Sequence, residues 1–118
     1  MALAPKLLST QTRGESILIA GTATGNTLVH TWPSVATTFQ DIYLKIAAVD
    51  AVAYDYTVEV GISGTMTTVA YGTVPVKAWS VTEKIRIQGN ATTAPVVNVF
   101  ASTTNKLRVS GEVNEYTA

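Results

Sequence analysis

Cysteine is absent from this 118-residue sequence and histidine occurs once, at His30. The first absence excludes disulfides, thiolate metal sites and a cysteine nucleophile. The second leaves no multi-histidine metal site, and no catalytic triad is expected around a lone ring. Charge is scarce as well: 14% of residues are charged, against about 25% in an average globular chain. Eight basic and eight acidic side chains cancel to a net charge of zero, which removes the long-range field of a nucleic-acid binder and leaves little repulsion between copies. No apolar run approaches the roughly 18 residues of a membrane-spanning helix. The opening Met-Ala-Leu-Ala-Pro-Lys lacks a basic segment followed by a sustained apolar stretch, so no cleaved signal is expected and synthesis in the cytoplasm is.

Apolar residues make up 47% of the chain, and their spacing is that of strands. From Tyr54 to Ile62 the odd and even positions separate cleanly: Tyr54, Tyr56, Val58, Val60 and Ile62 share one face, and Asp55, Thr57, Glu59 and Gly61 share the other. Asp41 to Val49 alternates in the same way, with Ile42, Leu44 and Ile46 set against Tyr43, Lys45 and Ala47. Ser63-Gly64 predicts a tight turn that folds Tyr54–Ile62 onto Thr65–Tyr71 as a hairpin. Ser16–Ala20 and Thr27–Trp32 read as strand, loop and returning strand around Gly25-Asn26, stopped by Pro33. Asp50-Ala51 is read as the turn into Tyr54. Thr73–Ser80, interrupted by Pro75, reads as an edge strand or a crossing between sheets, and Glu83–Gly89 as another strand. Val96–Ala101 and Lys106–Tyr116 are expected to pair as a final hairpin, with Gly111 marking a bulge or a close backbone approach.

About eight short strands separated by Gly, Asn and Pro turns predict one all-β domain, an antiparallel sandwich or jelly roll over residues 15–118. Residues 1–14 carry Pro5 and a single apolar pair, Leu7 and Leu8, and are expected to form an N-terminal arm, either a simple edge strand or frayed end, or an arm that grips a neighbouring subunit.

No set of residues adds up to a reaction. Asp55 and Glu59 lie four apart on one strand face, about 13 Å at 3.3 Å per residue, too wide for a paired-carboxylate glycosidase. His30, between Val29 and Thr31, is expected on the polar or partly exposed side of its strand. Gly21-Thr22-Ala23-Thr24-Gly25 is not followed by Lys-Ser/Thr and carries no nucleotide signal. Lys84, Arg86, Lys106 and Arg108 would form a basic stripe only if the last strands were adjacent, and a salt-bridged solvent face is the expected arrangement. Trp32, Tyr43, Trp79 and Tyr116 are open to three roles: core anchors, a subunit or capsid interface, or a sugar-stacking platform. Trp32, before Pro33 at a strand end, and Trp79, in the Pro-interrupted segment, are placed nearest an interface, together with Leu7 and Leu8 of the arm. No catalytic residue, cofactor, metal, nucleic acid or membrane partner is expected.

The nearly uncharged, Thr- and Ala-rich texture, with Ile85-Arg-Ile-Gln-Gly-Asn90, Pro95-Val-Val-Asn-Val-Phe-Ala101 and Lys106-Leu-Arg-Val-Ser-Gly-Glu-Val113, resembles small virion proteins of tailed bacteriophages. Within that group it is similar to head decoration, or cement, proteins. The resemblance implies a non-enzymatic virion protein, often a homotrimer, that binds the major capsid protein on the outside of the shell and braces adjacent capsomers. It transfers no site residues. The alternative is a carbohydrate- or receptor-binding sandwich of a fibre or tail, which predicts a concave patch with Trp32, Tyr43 or Trp79 exposed and aligned.

Overall fold

An eleven-residue strand, Thr38–Ala48, forms the spine of the molecule, because its alternation buries Gln40, Ile42, Leu44 and Ile46 on one side and turns Tyr43 and Lys45 to solvent on the other. In this computed structural model, residues 4–11, 13, 15–23, 27–32, 34–48, 52–62, 65–75 and 78–117 are described. They contain ten strands: β1 (Ala4–Lys6), β2 (Ile17–Leu18), β3 (Leu28–Thr31), β4 (Thr38–Ala48), β5 (Tyr54–Gly61), β6 (Thr67–Val74), β7 (Trp79–Val81), β8 (Ile85–Gln88), β9 (Val96–Ala101) and β10 (Leu107–Thr117).

All pairings are antiparallel, in two sheets. In the first, β10 lies beside β4; β1 and β2 share the far side of β10, and β7 and β8 share the far side of β4. The second runs β3-β9-β5-β6. Taking β1 with β2 and β7 with β8 as single interrupted positions, each sheet has four, and the chain crosses between sheets at nearly every connection. That is the order of a jelly roll.

Between the sheets, Ile42, Leu44, Ile46, Val109 and Val113 meet Val58, Val60, Val97 and Val99, all buried. Each such side chain contributes about 1.5–3 kcal/mol when fully withdrawn from water. At Gly111, β4 lies too close to β10 to leave room for a side chain. A Cβ there would stand 2.7 Å from the Tyr43 carbonyl oxygen and 3.0 Å from Leu44 Cδ2, while the β10–β4 register runs unbroken past it. The close approach expected at Gly111 is present and the bulge is not.

The hairpin of β5 and β6 forms as expected, with a register shift between Val58 and Glu59; its turn, Ser63-Gly64, lies outside the described residues, as do Gly25-Asn26, Pro33 and Asp50-Ala51. Pro75 ends β6 and the chain crosses to the other sheet, one of the two readings of that segment. Two expected reversals are corrected. β9 and β10 do not pair, because β9 has β3 and β5 on its two edges while β10 has β1/β2 and β4. β2 and β3 likewise lie in opposite sheets.

Over its described part the N-terminal arm is an edge strand of the sandwich, one of its readings. β1 pairs with β10, and Leu8, 1% exposed, packs in the core beside Gly111. Residues from this segment thus complete the sandwich, since the gap that Gly111 leaves needs a side chain to fill it.

Candidate functional site

Strand alternation lays one continuous surface across the six-stranded sheet. β4 presents Phe39, Tyr43 and Lys45, β10 presents Ser110, Glu112, Asn114 and Tyr116, and the paired edges add Arg86 from β8 and Trp79 and Val81 from β7. At one end these side chains lock together. Arg86 donates to both carboxylate oxygens of Asp41 (2.8 and 3.0 Å), the Tyr116 hydroxyl donates to the same carboxylate (3.3 Å), and the Tyr116 ring stacks with Phe39 at 5.7 Å and has the Arg86 guanidinium over it at 5.4 Å. The Arg86 hydrogen bonds hold Asp41 below the usual carboxylate range, and desolvation leads the upward shift of Tyr116.

Towards the middle of the same surface lies an open trough of about 720 Å³. Leu7 and Gln11 form one wall, Val81 and Thr82 the other, and Tyr43, Lys45, Ser110 and Glu112 the floor, with Asn114 at its margin. Thr82 is fixed by two bonds to β4: its Oγ1 accepts from the Leu44 amide (3.0 Å) and its own amide donates to the Leu44 carbonyl (2.9 Å). A turn in which the Gln11 amide donates to the Leu8 carbonyl (2.9 Å) brings Gln11 over β10. Gln11 is 8% exposed, and its Oε1 has no hydrogen-bond partner among the described residues.

A second depression, about 550 Å³, runs along the flank where β6 faces β7 and β8; Tyr56, Val69, Tyr71, Val81, Ile85 and Ile87 line it, with Thr82, Glu83, Lys84 and Arg86 among them. Val81 borders both depressions. Beneath the flank, the Tyr56 and Ser80 hydroxyls lie 3.2 Å apart and tie the two sheets together. Tyr56 also packs over Gly72, whose missing side chain leaves room for the ring.

Inside the sandwich one polar chain runs from His30 to Lys6, while the buried Trp32 Nε1 has no hydrogen-bond partner among the described residues. His30 Nδ1 accepts from the Ser9 amide (2.9 Å), which leaves the proton on Nε2, facing Gln40 Oε1 at 2.6 Å. Gln40 donates to Glu115 (2.9 Å), and Lys6 meets the other Glu115 oxygen at 2.7 Å. Burial pushes the His30 pKa down, and the Lys6 hydrogen bond leads the lowering at Glu115.

Of the residues placed at an interface from sequence, the structure separates two pairs. Leu7 and Trp79 are on the surface, 47% and 60% exposed, with Lys45 Nζ 4.8 Å from the centre of the Trp79 ring. Leu8 and Trp32 are corrected to core, each 1% exposed. His30 is also corrected: a register shift between Leu28 and His30 lets Val29 and His30 both turn inward, and His30 packs edge-on against Trp32 at 5.2 Å. Asp55 and Glu59 are not brought together, for Asp55 is exposed and accepts from the Thr73 hydroxyl (2.6 Å) while Glu59 is buried. The basic stripe is not formed either. β8 and β10 flank β4 rather than each other; Arg86 is held by Asp41, and Arg108 by Ser16 at 2.8 Å. The trough residues Gln11, Ser110, Glu112 and Asn114 were not singled out from sequence. For the three on β10, the signal was their alternation with Val109, Gly111 and Val113.

Among the described residues no group of three His, Asp or Glu could hold a metal, and no helix is long and apolar enough to cross a membrane. No family model and no curated protein matches the chain. Among solved structures, a crystal structure of the CBM22-1 and GH10 modules of the Clostridium thermocellum N-terminal endo-1,4-beta-D-xylanase 10B, complexed with xylohexaose, is similar, with a TM-score of 0.49 and 4% identity. The match covers 98% of this chain and 26% of that one.

Proposed function

We propose that this chain is a non-enzymatic structural protein of a virion, which binds the outer surface of the capsid and braces adjacent capsomers. The observation that carries the reading is the apolar flank: Tyr71 is 78% exposed, Val81 65%, Trp79 60% and Val69 44%, along the β6, β7 and β8 side of the sandwich. Large apolar side chains left exposed on one side of a rigid scaffold favour a surface that is covered in use. The zero net charge supports it, because nothing repels neighbouring copies as they crowd onto a lattice. Modest contacts repeated over such a lattice add up through multivalency, and a homotrimer would engage three capsid subunits at once. The virion assignment itself rests on the sequence resemblance.

Co-sedimentation with purified, undecorated phage shells tests the reading. The chain should pellet with the shells, and Tyr71→Asp, at an exposed position, should leave it folded in the supernatant. A chain that stays soluble beside intact shells, or a Tyr71→Asp variant that still pellets, would reject it.

A further inference from the structure

Residues 4–11 bridge the two sheets along one side of the sandwich. β1 pairs with β10 of the larger sheet, and the residues after it bond to β3 of the smaller one. The Ser9 amide donates to His30 Nδ1 (2.9 Å), Ser9 Oγ accepts from the Thr31 amide (2.8 Å), and the Thr10 hydroxyl donates to the Val29 carbonyl (2.5 Å). Of these fastenings, the one on His30 involves a group that titrates near neutral pH. We propose that this segment is a pH-controlled strap, fastened while His30 is neutral and released from β3 and β10 when the ring takes up a proton.

The ring has no place for a second proton while the strap is on. Nδ1 faces the Ser9 N–H and Nε2 already donates to Gln40 Oε1 at 2.6 Å, so an imidazolium would turn two donors on each other at 2.9 Å. His30 is 3% exposed and packs edge-on against Trp32, which leaves little water to solvate an added charge. The charged neighbours act in the same sense. Among the described residues, Lys6 on β1 opposes a positive ring and Glu115 on β10 favours one, while Gln40 of β4 and Trp32 carry no charge. Lys6 belongs to the strap and Glu115 does not, so release takes the cation away and leaves the carboxylate behind. With an ordinary value of 4.5, lowered here, Glu115 is ionised throughout the range in which the ring titrates.

The sign follows from where the proton goes first. Burial holds the fastened ring below its ordinary 6.5, so the released form protonates first as the pH falls, and acid favours release. One proton taken up per release makes the effect about tenfold for each pH unit between the two values. The segment is also one that can open without the rest. β1 has three residues and lies at the edge of its sheet, where openings smaller than global unfolding occur. Leu8, buried beside Gly111, opposes the opening and keeps the strap closed at neutral pH. Release uncovers the outer edge of β10 from Val113 to Glu115 and the slot that Leu8 fills.

The test is native-state hydrogen exchange of the isotope-labelled chain, followed by NMR at about pH 7.5 and about pH 5.5, with and without dilute urea. The Ser9 and Thr31 amides, which bond across the strap, should be about tenfold less protected at the lower pH once intrinsic exchange is corrected for. They should respond weakly to urea, as a small opening does, while amides of β5 and β9 stay better protected. His30→Gln should remove the pH effect, and Glu115→Gln should retain it. The proposal is overturned if Ser9 and Thr31 keep their protection at the lower pH, or if they exchange only together with β5 and β9 and with the same urea dependence. It is also overturned if the loss persists in His30→Gln or vanishes in Glu115→Gln. Should His30→Gln not fold, the exchange of the parent decides. The shell-binding reading stands or falls separately, on Tyr71→Asp, since β6 is at the opposite edge of its sheet from β3.

Discussion

His30 and Gln40, ten residues apart in sequence, meet at 2.6 Å inside the sandwich, and the Ser9 amide occupies the other ring nitrogen. The imidazole is thereby held neutral. Protonating Nδ1 would set two donors against each other in a site that burial already makes unfavourable to charge.

A pH dependence follows. The folded-state pKa of His30 lies below its ordinary 6.5, so the unfolded chain takes up the proton first as the pH falls. Stability is therefore full above the unfolded value and declines below it. Asp41 and Glu115 are lowered as well, by their charged partners: their contributions hold above ordinary values of 3.8 and 4.5 and are lost further down. With one histidine in the chain, a fall in melting temperature between about pH 7.5 and about pH 5.5 reports this ring. Thermal scans should show the fall, and His30→Gln should flatten it whatever it does to absolute stability.

Leu7 and Leu8 are neighbours with opposite fates, 47% and 1% exposed. Leu8→Ala should cost about 2–5 kcal/mol in urea unfolding, the range for a buried leucine that leaves a cavity. Leu7→Ala should stay within about 0.5 kcal/mol, as exposed substitutions usually do. Equal, small losses at both would return the segment to a free arm.

Gly111 admits no side chain without moving backbone. Its Cβ would meet the Tyr43 carbonyl at 2.7 Å, whereas the nearest atoms to a Cβ at Gly72 belong to the Tyr56 side chain, its hydroxyl at 3.2 Å and ring carbons at 3.3 and 3.4 Å. Gly111→Ala should cost about 1–3 kcal/mol as an overpacked core position. Gly72→Ala should cost less, because a ring can shift; chemical denaturation of the two variants ranks them.

The tryptophans report two environments. Trp32, 1% exposed, should emit to the blue and resist acrylamide, while Trp79, 60% exposed, should be quenched freely. Trp32→Ala should cost about 3–5 kcal/mol. Trp79→Ala should cost no more than about 1 kcal/mol, the scale of an exposed cation–π contact with Lys45.

The central strands were legible in advance because alternation is a local property. Tyr54–Ile62 is read with nearly the right bounds, Asp41–Val49 falls on a strand that already begins at Thr38, and the β5–β6 hairpin forms as read. β9 and β10 misled, since an alternating strand, a short polar turn and another alternating strand look the same whether the chain reverses within a sheet or crosses between two. His30 misled because a register shift breaks strict alternation, and nothing in Leu28–Thr31 announces one. The trough was hidden for a related reason: Gln11 reaches its wall through a turn closed on the carbonyl of Leu8, which is buried beside Gly111.

The residues alone therefore determined the period of two, the all-β class and which side chains share a strand face, because these depend only on pleat geometry and solvent. Strand partners, and with them the burial of Trp32 against the exposure of Trp79, were decided only by the packed sandwich. Backbone amides and carbonyls are chemically alike on every strand, so the choice among possible ladders is made by which arrangement closes both apolar faces at once.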